Sequence, residues 1–137
     1  MNAPERVYLG IGSNTGNREQ NIAAALKRLS GLVDNMVMSR LYETLPRYVI
    51  DQPEFLNCVA CGETLREPRE LLQSIHAVER DEGRDRLESG PMGPRPIDID
   101  ILLFGDRVED DEELTIPHPR IHERKFVLLP LLEIAPR

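Results

Sequence analysis

The stretch that decides the fold is Gly93–Gly105, "GPRPIDIDILLFG", in which apolar and acidic residues alternate. The alternating residues are Ile97, Asp98, Ile99, Asp100 and Ile101. Successive side chains of a β-strand point to opposite faces, so this period of two predicts a strand with one apolar face and one carboxylate face. We expect the isoleucines to pack against a core and the two aspartates to face away from it.

Four strands and two helices are predicted along the chain. The strands are "RVYLGIGS", "NMVMSRLYETL", "PEFLNCVACGETL" and "RPIDIDILLFG", and the helices are "NTGNREQNIAAALKRLSG" and "EPRELLQSIHAVERDEGR". Asn17 is a candidate N-cap of the first helix, Pro68 lies near the start of the second, and Gly83 ends it. The order β-α-β-β-α-β indicates an α+β, ferredoxin-like fold: an antiparallel sheet with both helices on one face and an open face for an active site. The tail from Leu114 onward is expected to mix turns with a short apolar helix.

Length and composition indicate one soluble domain, residues 1–137. The chain is 40% hydrophobic and 30% charged, which is ordinary for a globular protein. It shows neither the apolar core of a signal peptide nor the run of about 20 apolar residues that a membrane span needs, so a cytoplasmic protein without membrane contact is expected. The net charge of −7 argues against a nucleic-acid partner, although local basic clusters still permit an anionic ligand. The oligomeric state is left open, with a monomer favoured.

The two cysteines, Cys58 and Cys61, are separated by two residues within a predicted strand. A Cys-x-x-Cys pattern suggests a redox or metal site. Residues three apart on a strand point to opposite faces, however, and no second pair of ligands for zinc is present. Two small buried residues are therefore the preferred interpretation.

The two aspartates suit a divalent metal bound together with a polyphosphate. Strand residues two apart are separated by about 6.5 Å, so their carboxylates could converge on one ion or flank two ions. Hard carboxylate oxygens suit Mg²⁺. Arg84 and Arg95 precede the strand, and the basic segment "HPRIHERK" follows it. A guanidinium group can bind phosphate through two parallel hydrogen bonds. The Asp-x-Asp pattern alone would more often be the polar outer face of an edge strand; the neighbouring arginines favour the binding site.

Phe55 and Asn57 share one face of the third predicted strand. An aromatic ring beside a carboxamide could bind a flat heterocycle, because the amide offers both donors and an acceptor. A core phenylalanine next to a turn-capping asparagine would have the same pattern, and from these two residues alone it is the favoured interpretation. No P-loop is present, and "GIGSNTG" differs by one residue from the dinucleotide-binding fingerprint.

Four segments together resemble the 6-hydroxymethyl-7,8-dihydropterin pyrophosphokinase family. They are "GIGSNTGNREQNI", "DQPEFLNCV", "GPRPIDIDILLFG" and "LTIPHPRIHERKFVLLPLLEIAP", and the resemblance extends from about Val7 to Pro136. It implies a ferredoxin-like fold with an open face. It also implies transfer of pyrophosphate from ATP to the hydroxymethyl group of 6-hydroxymethyl-7,8-dihydropterin, with release of AMP, in folate biosynthesis.

The resemblance further implies roles for individual residues. The ligands of two Mg²⁺ ions would be Asp98 and Asp100. The residues around the pterin would be Thr44, Leu45, Phe55, Asn57 and Phe126, with the ring held between the two phenylalanines. The residues around ATP would be Glu79, Arg84, Arg95, Ile99, Ile101, Thr115, His118 and Arg124. The catalytic set would be Arg84, Arg95, Asp98, Asp100 and His118.

Two other functions remain as alternatives. The first is a non-catalytic module that binds a nucleotide or small metabolite on the open face of the same fold. The second is a fragment of a dinucleotide-binding domain, which the near-match "GIGSNTG" suggests. The release of AMP from ATP in the presence of the pterin would separate the enzyme from both.

Overall fold

The computed structural model describes residues 3–44, 55–83, 96–110 and 114–117. In chain order its elements are β1 (Glu5–Ser13), α1 (Arg18–Leu29), β2 (Asp34–Met38), β3 (Tyr42–Thr44), β4 (Phe55–Thr64), α2 (Pro68–Asp81), β5 (Asp98–Phe104), β6 (Glu109–Asp110) and β7 (Thr115–Ile116). The two helices and the strands β1, β2, β4 and β5 correspond to the elements that the sequence predicts.

The main sheet has the strand order β2-β4-β1-β5, and β3 also pairs with β4. Every pair in it is antiparallel. The first predicted strand therefore lies between the third and the fourth, and the second lies at one edge. This is the arrangement of a ferredoxin-like α+β fold, so the predicted fold class is confirmed. The short strands β6 and β7 form a separate antiparallel pair.

Both helices begin where the sequence indicates. The side chain of Asn17 accepts a hydrogen bond from the backbone N–H of Gln20 at 3.1 Å, which satisfies one of the free donors at the start of α1. Pro68 opens α2, where its missing N–H costs nothing. Gly83 follows the end of α2 with φ of +96°, a conformation that suits glycine.

The core lies between the helices and one face of the sheet. It contains alternate residues of β1, β4 and β5 together with the apolar stripes of α1 and α2. The strand residues are Val7, Leu9, Ile11, Leu56, Cys58, Ala60, Ile99 and Ile101; the helix residues are Ile22, Ala25, Leu29, Leu71, Ile75 and Val78. The isoleucines of the stretch 97–101 therefore pack against the helices, as their alternation with the aspartates predicts.

The prediction of one continuous second strand, "NMVMSRLYETL", is wrong. The structure divides it into β2 and β3, which pair with different parts of β4. Ser39 lies between them: its backbone N–H donates to the carbonyl of Val59, and its hydroxyl accepts the N–H of Val59. The hydroxyl of Ser39 thus accepts the N–H of Val59 in place of a backbone carbonyl, and the regular hydrogen-bond ladder along β4 is interrupted there.

A bulge at Leu102 changes which residues of β5 face the core. Leu9 of β1 pairs with Ile101, whereas Tyr8 pairs with Leu103, so Leu102 has no partner of its own. After the bulge, Phe104 rather than Leu103 turns into the core, opposite Val7. The period of two in the sequence therefore holds only as far as Ile101.

The two cysteines lie on opposite faces of β4, as predicted. Cys58 belongs to the core, while Cys61 lies on the other face, within 3.4 Å of the guanidinium of Arg6. Both are buried free thiols. Burial raises the pKa of Cys58 to about 12, so its thiol is protonated at neutral pH and is a poor nucleophile. Neither helix in the described part of the chain is long and apolar enough to span a membrane.

Candidate active site

Asp98 and Asp100 lie on the face of the sheet that is opposite the two helices. Their neighbour Ile99 is in the core, and the alternation of the strand directs the two carboxylates the other way. Both aspartates are partly exposed, whereas the isoleucines beside them are buried. The predicted direction of the two side chains is therefore correct.

The hydrogen-bond register of the sheet connects the aspartates with Asn57. Gly12 of β1 pairs with Asn57 of β4 on one side and with Asp98 of β5 on the other. Directly paired residues point to the same face, so the carboxamide and the carboxylate both lie on the helix-free side. Two strand spacings of about 4.8 Å put their Cα atoms roughly 10 Å apart. The residues predicted to hold a pterin and those predicted to hold a metal thus meet across one central strand.

Gly12 is in contact with both predicted pterin residues on β4. A Cβ atom at position 12 would lie 2.6 Å from Oδ1 of Asn57 and 3.6 Å from Cδ1 of Phe55. The first distance is a collision, so the Asn57 carboxamide occupies the space that any other residue at position 12 would fill. Phe55 is partly exposed and does not belong to the core cluster. The interpretation of Phe55 as a core residue is not supported.

Gly10, the next residue of β1 on this face, is covered differently. It pairs with Val59 on one side and Asp100 on the other, and the side chain of Leu102 lies about 3.4 Å from where its Cβ would be. Val59 and Leu102 are buried although they are on the face without helices. This face is therefore open at Asp98 and Asp100 and closed at the apolar residues behind them.

The glycines at positions 10 and 12 line the face that carries Asn57 and the two aspartates, and this position is not predicted from the sequence. Their motif invites comparison with a phosphate-binding loop, whereas both lie inside a strand. The available signal is their alternation with apolar residues at 7, 9 and 11. Alternate glycines on a central strand mark a face where other groups approach the backbone closely.

The loop after β1 is held by side-chain hydrogen bonds. Asn21 of α1 donates from Nδ2 to the carbonyl of Thr15 at 2.9 Å and to Oγ of Ser13 at 3.3 Å. Ser13 and Asn14 are fully buried. These contacts hold the end of β1 next to Gly12. They explain why serine and asparagine side chains occur in the stretch "GSNTGNREQN".

The donor set suits a hard divalent cation. Two carboxylates two residues apart on one strand offer oxygen ligands only, the chemistry that Mg²⁺ prefers. Within the described residues no group of three or more histidine, cysteine, aspartate and glutamate side chains is arranged to hold a metal ion. A cation at Asp98 and Asp100 would thus take its other ligands from water or from substrate phosphates, as Mg²⁺ commonly does.

The structure describes four of the residues predicted around ATP: Glu79, Ile99, Ile101 and Thr115. The side chains of Ile99 and Ile101 are packed in the core, so only their backbone could meet a nucleotide. Glu79 is buried and accepts a hydrogen bond from the backbone N–H of Ile99. Thr115 lies in β7 between the buried residues Leu114 and Ile116, and it is partly exposed.

The remaining predicted residues lie outside the described part of the chain. They are Leu45, Arg84, Arg95, His118, Arg124 and Phe126. For Thr44 the structure gives the backbone, which pairs with Phe55 at the end of β3. The predictions for these residues therefore remain predictions.

Comparison with known proteins places nearly the whole chain in one family. Residues 8–136 match the family model of 7,8-dihydro-6-hydroxymethylpterin-pyrophosphokinase (HPPK). A 2-amino-4-hydroxy-6-hydroxymethyldihydropteridine pyrophosphokinase of Haemophilus influenzae is 40% identical over 93% of this chain and 80% of its own length. The mitochondrial folate synthesis bifunctional protein of Pisum sativum is 45% identical over 95% of this chain. The chain spans only a quarter of that longer protein.

A solved structure has the same fold. The crystal structure of wild-type HPPK-DHPS from Plasmodium falciparum superposes with a TM-score of 0.73 over 96% of this chain and 41% of its own, at 17% identity. At 17% identity this likeness supports the fold alone. The family assignment rests on the sequence matches, and the family model covers residues 8–136, which include all the site residues described above. The chain therefore belongs to the 7,8-dihydro-6-hydroxymethylpterin-pyrophosphokinase family.

Proposed function

We propose that this protein transfers the pyrophosphoryl group of ATP to the hydroxymethyl group of 6-hydroxymethyl-7,8-dihydropterin, with release of AMP, in folate biosynthesis. The observation that carries the proposal is the row Asn57, Gly12 and Asp98 across three strands. It brings the pair proposed to bind the heterocycle and the carboxylate pair to one face, with the Cα atoms of Asn57 and Asp98 about 10 Å apart. In the proposal, the bicyclic substrate lies at the first pair and the phosphates of the nucleotide lie beside it at the second.

In the proposed mechanism the pterin hydroxymethyl oxygen attacks the β-phosphorus of ATP in line. The bond from that phosphorus to the oxygen bridging the α-phosphate breaks, AMP leaves with the bridging oxygen, and the hydroxyl proton is released to water. Phe55 stacks on the pterin and Asn57 pairs with its edge, so the acceptor is held next to the aspartates. Holding two reactants in reactive geometry is a main source of rate in phosphoryl transfer.

Asp98 and Asp100 are the proposed ligands of two Mg²⁺ ions. When bound, the metal would neutralise the phosphate charge and stabilise the charge that develops during transfer. Arg84, Arg95, His118 and Arg124 are the proposed further contacts of ATP, and Leu45 and Phe126 those of the pterin. The proposal includes a single catalytic domain that works in the cytoplasm as a monomer on small-molecule substrates.

The test is an AMP-release assay with the purified chain. The protein is mixed with ATP, Mg²⁺ and the hydroxymethyl dihydropterin, and the nucleotides are separated by chromatography. We expect AMP in an amount equal to the pterin consumed, and no AMP when the pterin or Mg²⁺ is left out. ADP in place of AMP would mean attack at the γ-phosphorus and would contradict the proposal. Binding of the ligands without turnover would support the non-catalytic module.

A further inference from the structure

Glu79 is a buried acid at the boundary between α2 and the strand that carries the aspartates. It lies in the last third of α2 and is only 2% exposed. Charged side chains are rarely buried unless they are paired, because desolvation of a carboxylate is costly. A residue of this kind requires an explanation beyond core packing, which an apolar side chain would supply better.

The hydrogen bond of Glu79 explains why an acceptor is needed at this position. Its Oε2 accepts the backbone N–H of Ile99 at 2.9 Å. β5 is an edge strand of the described sheet, with β1 as its hydrogen-bonded neighbour. Edge strands leave every second N–H without a strand partner. The carboxylate of Glu79 therefore provides this N–H with the acceptor that a carbonyl of a neighbouring strand would otherwise supply.

The position of that bond connects Glu79 with the site. Ile99 is the residue between Asp98 and Asp100, and its N–H belongs to the peptide group that joins Asp98 to Ile99. A hydrogen bond to a carboxylate is stronger than one to a neutral acceptor. It restrains this peptide plane and limits the twisting of the strand on which both aspartates depend for their direction.

We propose that Glu79 is a positioning residue that holds Asp98 and Asp100 in the geometry needed to bind Mg²⁺. It acts from the core side of β5, through the backbone of Ile99. The inference rests on the proposed function, because it concerns the metal of that reaction. It also gives Glu79 a different role from that of a side chain lining the ATP pocket.

The test compares two substitutions of Glu79 with a matched core variant. Glu79→Leu removes the acceptor but keeps a buried side chain of similar length, whereas Glu79→Gln keeps an uncharged acceptor. Val78→Ala, at the adjacent core position of α2, is the control for lost packing because Val78 is a buried apolar residue of the same helix. Each full-length protein is measured for kcat, for the KM of the pterin and for the Mg²⁺ concentration at half-maximal rate. Hydrogen exchange of the Ile99 amide gives a readout that does not depend on activity.

We expect the half-saturating Mg²⁺ concentration of Glu79→Leu to rise about tenfold, kcat to fall, and the pterin KM to stay within about twofold, since a charge-assisted bond is lost but β4 is untouched. The Ile99 amide should exchange faster. Glu79→Gln should lie between Glu79→Leu and the wild type in all of these. Val78→Ala should lower the unfolding temperature without changing the Mg²⁺ requirement.

The inference fails if Glu79→Leu changes Mg²⁺ dependence no more than Val78→Ala does. If Glu79→Leu does not fold, Glu79→Gln decides: a raised Mg²⁺ requirement at unchanged pterin KM supports the inference, and a wild-type requirement overturns it. A wild-type protein that releases no AMP would refute the proposed function instead. Calorimetric titration of Mg²⁺ with a non-hydrolysable ATP analogue, together with the exchange of the Ile99 amide, would then still decide the role of Glu79.

Discussion

The carboxamide of Asn57 occupies the space where Gly12 has no side chain, so that a Cβ at position 12 would lie 2.6 Å from Oδ1 of Asn57. Gly12 is also the residue that pairs with Asp98 on its other side. A single glycine therefore lies between the residue of the carboxamide and the residue of the carboxylate. The observed position of the Asn57 carboxamide depends on the absence of a side chain at position 12.

Gly12→Ala should weaken pterin binding at least tenfold, because the new Cβ must displace Asn57 or push the strands apart. Overpacking of this kind also costs about 1–3 kcal/mol of stability. Calorimetric titration with the pterin and chemical denaturation measure the two effects. Gly10→Ala is the control for stability: the three atoms nearest to its Cβ would all belong to the side chain of Leu102, at 3.4 to 3.6 Å, which is an ordinary contact distance, so it should unfold close to the wild type. Equal pterin affinity of Gly12→Ala and wild type would contradict the role of Gly12.

Asp98→Asn and Asp100→Asn should each reduce AMP formation by about a hundredfold or more, the scale on which single electrostatic contacts act in catalysis. Both side chains are partly exposed on the sheet face without helices, so their loss should change the unfolding free energy by only about 0.5 kcal/mol. The AMP assay and urea denaturation measure the two effects. Turnover near the wild-type level in either variant with Mg²⁺ present would remove that aspartate from the metal site.

Cys58 should make the stability of the protein fall as the pH rises above about 9. Burial raises the pKa of its thiol from 9.0 to about 12 in the folded protein. Between these values the unfolded chain has lost the proton and the folded chain has kept it, so unfolding becomes easier with rising pH. The contribution is complete below pH 9 and is lost as the pH approaches 12.

Denaturation of wild type and Cys58→Ala across this pH range measures the effect, and the variant should show a smaller slope. In a second measurement, a thiol reagent at about pH 8, just below the ordinary pKa of a cysteine, should modify Cys58 only after denaturant is added. Rapid modification of Cys58 in the native protein would show that the thiol is accessible and would contradict its burial.

Asn17→Ala should lower the unfolding free energy by about 1 kcal/mol, the usual cost of a lost N-cap. The side chain of Asn17 accepts the backbone N–H of Gln20, and alanine leaves that donor without this acceptor. Asn17→Asp keeps the acceptor and should be close to the wild type. AMP release at saturating substrates should be equal in all three proteins. An alanine variant as stable as the wild type would mean that α1 does not depend on this cap.

Much of the fold follows from local sequence patterns. The alternation around Ile99 predicts both the strand and the direction of its two aspartates, and Asn17 and Pro68 mark the starts of the helices correctly. The opposite directions of Cys58 and Cys61 follow from the same period of two. These predictions hold because each depends on interactions within a few residues of the chain.

Predictions that depend on distant partners are less complete. The break between β2 and β3 arises because Ser39 bonds to Val59 of another strand, and the bulge at Leu102 arises from the register against β1. The glycines of β1 can be recognised in the sequence as a motif. Their position between Asn57 of β4 and the aspartates of β5 cannot be predicted from it. The family resemblance assigns Glu79 to ATP, and the structure adds a hydrogen bond that its carboxylate accepts from the backbone N–H of Ile99 in β5.

The sequence by itself determined the elements, their order, and which residues of each strand share a face, because the backbone geometry of strands and helices fixes those periods. It also indicated the family and the chemistry, through residue types at particular spacings. Only the tertiary structure decided that Asn57 and Asp98 both pair with Gly12, and that Glu79 bonds to the amide between the two aspartates. Those relations depend on the register between strands and on the packing of a helix against a sheet edge, where the partners are far apart in the chain and only folding brings them together.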